Sequence, residues 1–492
     1  MAPFGNVLFV TLDQCRADIL TGRLAAAAPT PNLDRLAARG TIYANHFTAA
    51  VPCGPARASL LTGLHAFNHR AVRNGTPLAA HHAGLGTCLR AAGIEPLLFG
   101  YTDIAPDPTG RPAADPDLRT YEGVAPGFRE MTEMRFETGL EWLGHLRARG
   151  YDVPDPAPER LMDVFRPRDG TPDGPAIYRA EDSDTAYLTD RVLQALDIRR
   201  HRPWFAHVAY LRPHPPLVAP APWHRAVDPA AVPVPVSAHA DHPFRDAWFS
   251  APTVRGLFWG YDGRAAGLAP DLTARLRAVY LGLVAEVDHH VGRLLDWLDA
   301  TGQSERTLVL LTADHGEMLG DQGMWGKESV FAPAHHVPLI LCDPLRPGGG
   351  REDRITCSVD VAPTLLDWLG LPVPPAMDGR PLAAPALPGV PGLALTELEL
   401  GHPAAPTRFQ KAWGLDEQRC NAAVLRDPRW TLVHFNGGLP PLLFDRTADP
   451  DETRDLAGEP AAAGELLRMT RAMLDLRMTR ADRRLTGLTI GA

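Results

Sequence analysis

Residues 6–12 read NVLFVTL, apolar at odd and even positions alike, and the run stops at Asp13. A strand with one wet face alternates, so this pattern predicts burial on both sides, as in a parallel sheet covered by helices. IEPLLFGY (94–101), WFAHVAYL (204–211), TLVLLTAD (307–314) and VPLILCD (337–343) repeat it. Helical patterns lie between them. TPNLDRLAARG (30–40) has Thr30 as cap, Pro31 at the first position and Gly40 as terminator. HAGLGTCLRAAG (82–93), a segment near 181–200 and a long run from about Asp271 to Ala300 follow. Strands alternating with helices over most of the chain predict an α/β fold, a large mostly parallel sheet sandwiched by helices.

At 492 residues the chain exceeds one ordinary core. Two Pro-rich stretches, 103–125 and 213–270, interrupt the alternation and read as long ordered loops. Beyond Pro381 the texture changes: APALPGVPG (384–392) reads as a linker, and WTLVHF (430–435) and LPPLLFDRTADP (439–450) read as strands with turns. A helix-forming segment from about Ala461 to Arg483 closes the chain. We place a boundary near residue 385. The main α/β domain then spans 1–385, and an α+β subdomain with a small antiparallel sheet and terminal helix spans 386–492.

The net charge of −9 argues against nucleic-acid or anionic-membrane partners, which want a basic surface. No apolar run reaches the length of about 20 residues that a membrane span needs. The six cysteines, Cys15, Cys53, Cys88, Cys342, Cys357 and Cys420, have neither CxxC nor framework spacing. MAPFGNVLFVTLDQC lacks a basic start and a small-residue cleavage site, so a cytoplasmic protein is expected.

Two places carry chemistry. Asp13 and Asp314 each end a strand, with His315 next to the second, and open α/β sheets bind ligands beyond the carboxyl ends of their strands. Converging, they form an O,O,N set for one cation: carboxylates suit Mg, Ca or Mn, and imidazole admits Zn. Taken singly, an aspartate at such a place is more often a turn cap. The second place is VPCGPARASLLTG (51–63), a loop turning into a helix with Pro55 at the first helical position. It sets Cys53 at the positive end of the helix dipole, although a lone cysteine is more commonly a small buried thiol.

The C-x-P-x-R step of Cys53, Pro55 and Arg57, followed by an apolar helix and Leu61-Thr62-Gly63, resembles the signature of the sulfatase family in the alkaline phosphatase-like superfamily. TPNLDRLAARG, Asp314-His315-Gly316, VPLI (337–340) and LFDRTADPDETRDLA (443–457) are similar to family segments in the same order. VPCGPARASLLTGL, NHRAV (68–72), GYT (100–102), LRPHPP (211–216) and ADRRLT (481–486) resemble the phosphonate monoester hydrolase branch. The resemblance implies that Cys53 is converted to formylglycine, whose hydrated aldehyde is the nucleophile. It implies one divalent metal on Asp13, Asp314, His315 and the modified Cys53, with the Gln14 carbonyl oxygen as an extra ligand. Manganese is favoured, with calcium, magnesium and zinc as alternatives. Arg57 orients the aldehyde, Asn74 and Tyr101 donate to the substrate's non-bridging oxygens, and His214 and Lys327 stand near the leaving group. His214 read alone packs in a Pro-rich turn, and Lys327 read alone is a solvated charge.

Four departures bear on substrate. Asp13-Gln14 replaces two adjacent aspartates, and Gly100-Tyr101-Thr102-Asp103 stands where ordinary sulfatases carry G-K-W-H-x-G. Fewer cations suit a singly charged ester. Asp103 stands where the branch has a neutral Thr, and His335-His336 replace residues that usually include an Arg. The expected function is hydrolysis of singly charged phosphonate monoesters and phosphodiesters, with sulfate esters also accepted. The alternatives are a dedicated arylsulfatase, a phosphodiesterase with an unmodified hydroxyl nucleophile, and a pseudo-enzyme serving as a binding module. Expected partners are a small-molecule ester, a formylglycine-generating enzyme during maturation and further copies of the chain in a tetramer.

Overall fold

The computed structural model describes residues 5–136, 139–153, 163–237, 241–253, 256–265, 267–384 and 392–482. Among the described residues, eight strands form the main sheet: β1 (Asn6–Leu12), β2 (Thr41–Phe47), β4 (Pro96–Gly100), β5 (Arg129–Glu133), β6 (Phe205–Tyr210), β7 (Thr307–Ala313), β8 (Leu339–Cys342) and β9 (Gly350–Cys357). Their order is β5-β4-β6-β1-β7-β8-β2-β9, and every pairing is parallel except the two made by β8. The predicted α/β architecture is therefore the observed one.

β1 lies at the centre and is buried along its whole length. Its alternate residues serve two cores. Leu8, Val10 and Leu12 pack with Leu33, Leu188 and Leu283, which belong to the helices Pro31–Arg39, Asp184–Arg199 and Pro270–Ala300. Val7 and Phe9 pack with Leu60, Leu89 and Leu365 from the helices Cys53–Thr62, Leu85–Ala91 and Val361–Trp368. Both parities are apolar because both faces are covered.

A second sheet has the order β13-β12-β11-β10-β3, from β3 (Ala50–Val51), β10 (Ala394–Glu399), β11 (Asn421–Arg426), β12 (Trp430–Phe435) and β13 (Leu442–Asp445). Its pairings are antiparallel except β3 with β10, where Ala50 and Val51 pair with Glu397 and Leu398. The helix Ala463–Arg480 packs Met469 and Met473 against this sheet. The boundary near 385, most of the 384–392 linker reading and Leu485 and its neighbours in ADRRLT lie outside the described residues. No helix among the described residues is long and apolar enough to cross a membrane.

Two local readings change. Thr30 precedes the helix Pro31–Arg39 but its side chain makes no capping bond. Asp288, from the long helix, instead accepts from the backbone N–H of Asn32 and Leu33 (3.0 and 2.7 Å). The helix Cys53–Thr62 begins at Cys53, so Pro55 is its third residue. A proline costs nothing there, because the first four N–H groups of a helix have no partner within it. All ten residues of this helix are buried, and Gly63 ends it at φ 67° with its N–H on the Ser59 carbonyl.

Candidate active site

Parallel neighbours end at the same edge of a sheet, and Leu12 is level with Ala313 across β1 and β7. Asp13 and Asp314 consequently emerge side by side, both inaccessible to solvent. β4, on the other side of β6 from β1, delivers Tyr101, and β6 leads into His214. Gly100 permits this approach: at φ 105°, a Cβ there would sit 2.2 Å from the Ala209 carbonyl oxygen of β6. Cys53 arrives from the other sheet, two residues beyond β3.

Arg57, one helical turn after Cys53 and itself buried, clamps the two carboxylates. Its Nε donates to Asp314 Oδ2 (2.9 Å), Nη2 to Asp13 Oδ2 (3.0 Å) and Nη1 to the Tyr101 carbonyl (2.8 Å). The guanidinium lies 4.1 Å from the centre of the Tyr101 ring. Burial, reinforced by Asp314, pushes the Asp13 carboxyl up from its ordinary range. Burial acts the same way on Asp314, but His315, Arg57 and Lys327 outweigh it and hold Asp314 below its usual range.

His315 Nδ1 donates to the Gly316 carbonyl (3.0 Å), which leaves the Nε2 lone pair facing Cys53 Sγ at 3.2 Å. Burial, opposed by Asp314, brings this imidazole down to about 4, so it is neutral at pH 7 as a ligand must be. Lys327 Nζ uses all three donors: on Cys53 Sγ (2.8 Å), Gln14 Oε1 (3.1 Å) and His214 Nε2 (3.1 Å). His214 can accept there because its Nδ1 donates to the Pro215 carbonyl (2.6 Å). Burial, then Asp13, raises the Cys53 thiol well above its ordinary value. A thiolate nucleophile needs the opposite shift.

The ligand atoms of Asp13, Cys53, Asp314 and His315 all lie within 4.8 Å of one another. Asp13 Oδ1 is buried with no hydrogen-bond partner among the described residues. An orphaned carboxylate oxygen beside an imidazole lone pair turned to the same centre is the donor set a divalent cation satisfies. Gln14 holds a left-handed backbone, φ 64°, with its N–H on Asp314 Oδ1 (3.0 Å). Its main-chain oxygen accepts from Tyr280 OH (3.0 Å), so only Oε1 faces the cluster.

The other expected residues are placed less uniformly. Asn74 Oδ1 accepts from the Gly54 N–H (2.9 Å), next to Cys53, and its amide NH2 makes no hydrogen bond among the described residues. The Tyr101 hydroxyl is not free: it donates to Asp13. His335 meets Arg426 Nη1 (3.1 Å) and His336 meets the Ala44 carbonyl (2.8 Å), so that pair belongs to the packing between sheets. Glu317 escaped the sequence reading. This buried carboxylate accepts from the Gln14 amide and from the Leu319 and Gly326 N–H groups, fixing both Gln14 and the approach to Lys327. Nothing in sequence separates it from a surface glutamate.

A family model described as Sulfatase matches residues 5–371. The chain belongs to the sulfatase family. It is 38% identical over 503 aligned residues to the multifunctional alkaline phosphatase superfamily protein PehA of Trinickia caryophylli, covering 98% of this chain and 96% of that one. The phosphonate monoester hydrolase SpPMH from Silicibacter pomeroyi superposes with a TM-score of 0.93 at 44% identity, covering 99% and 97% of the two chains. The phosphonate monoester hydrolase of Agrobacterium radiobacter gives 0.90 at 37% identity over 98% and 97%. This sulfatase-family chain is accordingly a hydrolase acting on ester bonds, and its family implies in general a divalent metal and formylglycine. A role as a mere binding module finds no support.

Asp103 is buried, with φ 53° and Oδ1 lacking a partner among the described residues. Burial, then Glu122, pushes its carboxyl well above the usual range. A raised folded-state value means that folding binds the proton, so stability falls as pH rises above the unfolded value of about 3.9. Asp103→Asn removes that loss. Denaturant titrations of both proteins are expected to coincide near pH 3 and to favour the variant increasingly toward neutral pH; a pH-independent difference would contradict the assignment.

Proposed function

We propose that this chain is a metal- and formylglycine-dependent hydrolase of singly charged phosphonate monoesters and phosphodiesters that also accepts sulfate esters. One observation carries the reading: the Cys53 side chain, at a buried helix N-terminus, meets both Lys327 and a histidine–dicarboxylate cluster. The likeness over nearly the whole chain to two phosphonate monoester hydrolases supports the substrate class.

In this reading Sγ of Cys53 stands in for an oxygen of the hydrated formyl group. Formylglycine at position 53, once formed, supplies two hydroxyls on one carbon, one to attack and one to let the enzyme release its product. Asp13, Asp314 and His315, with Gln14 Oε1, would hold a divalent ion, manganese by preference, which acidifies an oxygen nucleophile and offsets charge at phosphorus or sulfur. Arg57 keeps the two carboxylates in place and partly neutralised. Lys327 is the donor on the leaving-group side, and the His214 Nε2 lone pair holds it there. Asn74 offers its free amide to a non-bridging oxygen; Tyr101 acts there only after release from Asp13.

The proposal extends to maturation by a formylglycine-generating enzyme, a homo-tetramer and a cytoplasmic location. The last is supported by six cysteines that are all unpaired, as a reducing compartment keeps them. The deciding experiment compares kcat/KM for an aryl phosphonate monoester, an aryl phosphodiester and an aryl sulfate on metal-defined enzyme. The phosphonate and diester are expected to lead, with sulfate measurable; a sulfate preference of several orders of magnitude would make the chain a dedicated sulfatase.

A further inference from the structure

Arg212 is the residue by which β6 turns toward the site, and its side chain is fully buried. Burying a guanidinium is costly unless its donors are met. Nη1 donates to the main-chain oxygens of both His214 and Pro216, at 2.9 Å each. Nη2 donates to Tyr178 OH (3.2 Å), and Nε lies 3.4 Å from Asp184 Oδ1 and 3.3 Å from Oδ2. Its plane lies over Phe165, 4.3 Å from the ring centre. Asp184 is anchored at the start of the helix Asp184–Arg199, and the same long helix that packs on β1 brings Glu286 against this group. Burial, then Asp184, raises Glu286 to about 8, which leaves Asp184 as the counter-charge of Arg212.

The turn that Arg212 grips carries no helix and no sheet pairing of its own. Residues 213–216 include three prolines, so few of their N–H groups are available to hold them, and the loop is fixed through its carbonyls instead. One nitrogen spanning the carbonyls of residues 214 and 216 pins the backbone on both sides of Pro215. That proline's own carbonyl is the acceptor that fixes the His214 ring. The ring in turn accepts from Lys327, 2.8 Å from Cys53. A guanidinium suits this task because its donors form a rigid fork, whereas an ammonium is a single point on a flexible stem.

We propose that Arg212 is a positioning residue for the leaving-group step, acting through the Pro215 carbonyl and His214 to hold Lys327 at the scissile bond. Arg212 itself touches no reacting atom. The inference rests on the function proposed above and deepens it, because it names the element that sets proton delivery to the departing group.

The test is a series of aryl esters whose phenols span a range of acidity, measured with wild type, Arg212→Lys, His214→Ala and the double variant. A displacement of about 1 Å costs on the order of 100-fold in rate. Arg212→Lys is therefore expected to lose about 10- to 100-fold in kcat/KM with poorly acidic phenols and about threefold or less with strongly acidic ones. In the His214→Ala background the same change is expected to cost about threefold or less throughout, since contacts that act as a unit are not additive. Asp184→Asn, which keeps the side-chain shape and removes the counter-charge, is expected to show the same leaving-group pattern with a smaller amplitude. It decides the matter if Arg212→Lys does not fold. A loss independent of the leaving group, or full additivity with His214→Ala, would overturn the inference while leaving the proposed function standing. If wild type instead prefers aryl sulfates by orders of magnitude, that function fails, and the same series run on sulfates still tests Arg212.

Discussion

Cys53→Ala is expected to abolish turnover, by about 10⁴-fold or more, while leaving the protein folded. The size follows from what the side chain does. It is the candidate attacking group and also a member of the cation cluster, so no neighbouring group can replace it. Lys327 and His315 are the wrong partners for attack, one a cation and the other held with its lone pair toward the same centre. The fold tolerates the change because the remaining helix is buried through Leu60 and Leu61, several residues away, and Lys327 keeps Gln14 and His214. Turnover of the three ester classes and the thermal midpoint should be measured together. Near-normal turnover would remove Cys53 from the mechanism. Mass spectrometry of the peptide spanning residue 53 adds a separate check: fully active protein bearing only the free thiol would refute formylglycine.

Arg57→Met is expected to destabilise the protein by about 3–5 kcal/mol at neutral pH, the usual consequence of stripping one partner from a buried ion pair. Arg57 faces two carboxylates, Asp13 and Asp314, neither of which reaches solvent. Without the guanidinium they repel each other in a medium of low dielectric. A divalent cation supplies an alternative counter-charge and by mass action stabilises whichever form binds it. Excess Mn2+ in urea titrations is therefore expected to recover part of the loss, and to help the variant more than the wild type. A loss below about 1 kcal/mol, typical of a surface substitution, would show that the clamp contributes little. An identical Mn2+ effect on both proteins would show that the ion and Arg57 do not share the carboxylates.

The legibility of this chain was uneven for physical reasons. Buried parallel strands announce themselves, because both faces are apolar: β1, β4, β6, β7 and β8 were all readable. β2, β5, β9, β10 and β11 were not, since their residues alternate irregularly or are polar, as in GREDRITC, an edge strand exposed over its first half. The aspartates at the ends of β1 and β7 were readable as candidates, because a carboxylate directly after an apolar strand stands where parallel sheets bind ligands. Asp288, which caps a helix more than 250 residues earlier in the chain, left no trace in local pattern.

The chain's own order of residues determined the α/β class, the strands that carry Asp13 and Asp314 to one edge, and the segment in which Cys53 precedes a buried helix. These are matters of period and composition within a few residues, which is where such signals live. Tertiary structure alone decided that β3 joins the second sheet and so swings Cys53 over the first, and that Asp13 keeps one orphaned oxygen. It also decided that Arg212 and Glu317, ordinary charges in the sequence, are buried fixtures behind the site. Those outcomes depend on which surfaces meet after folding, and contacts between residues hundreds of positions apart have no periodicity to reveal them.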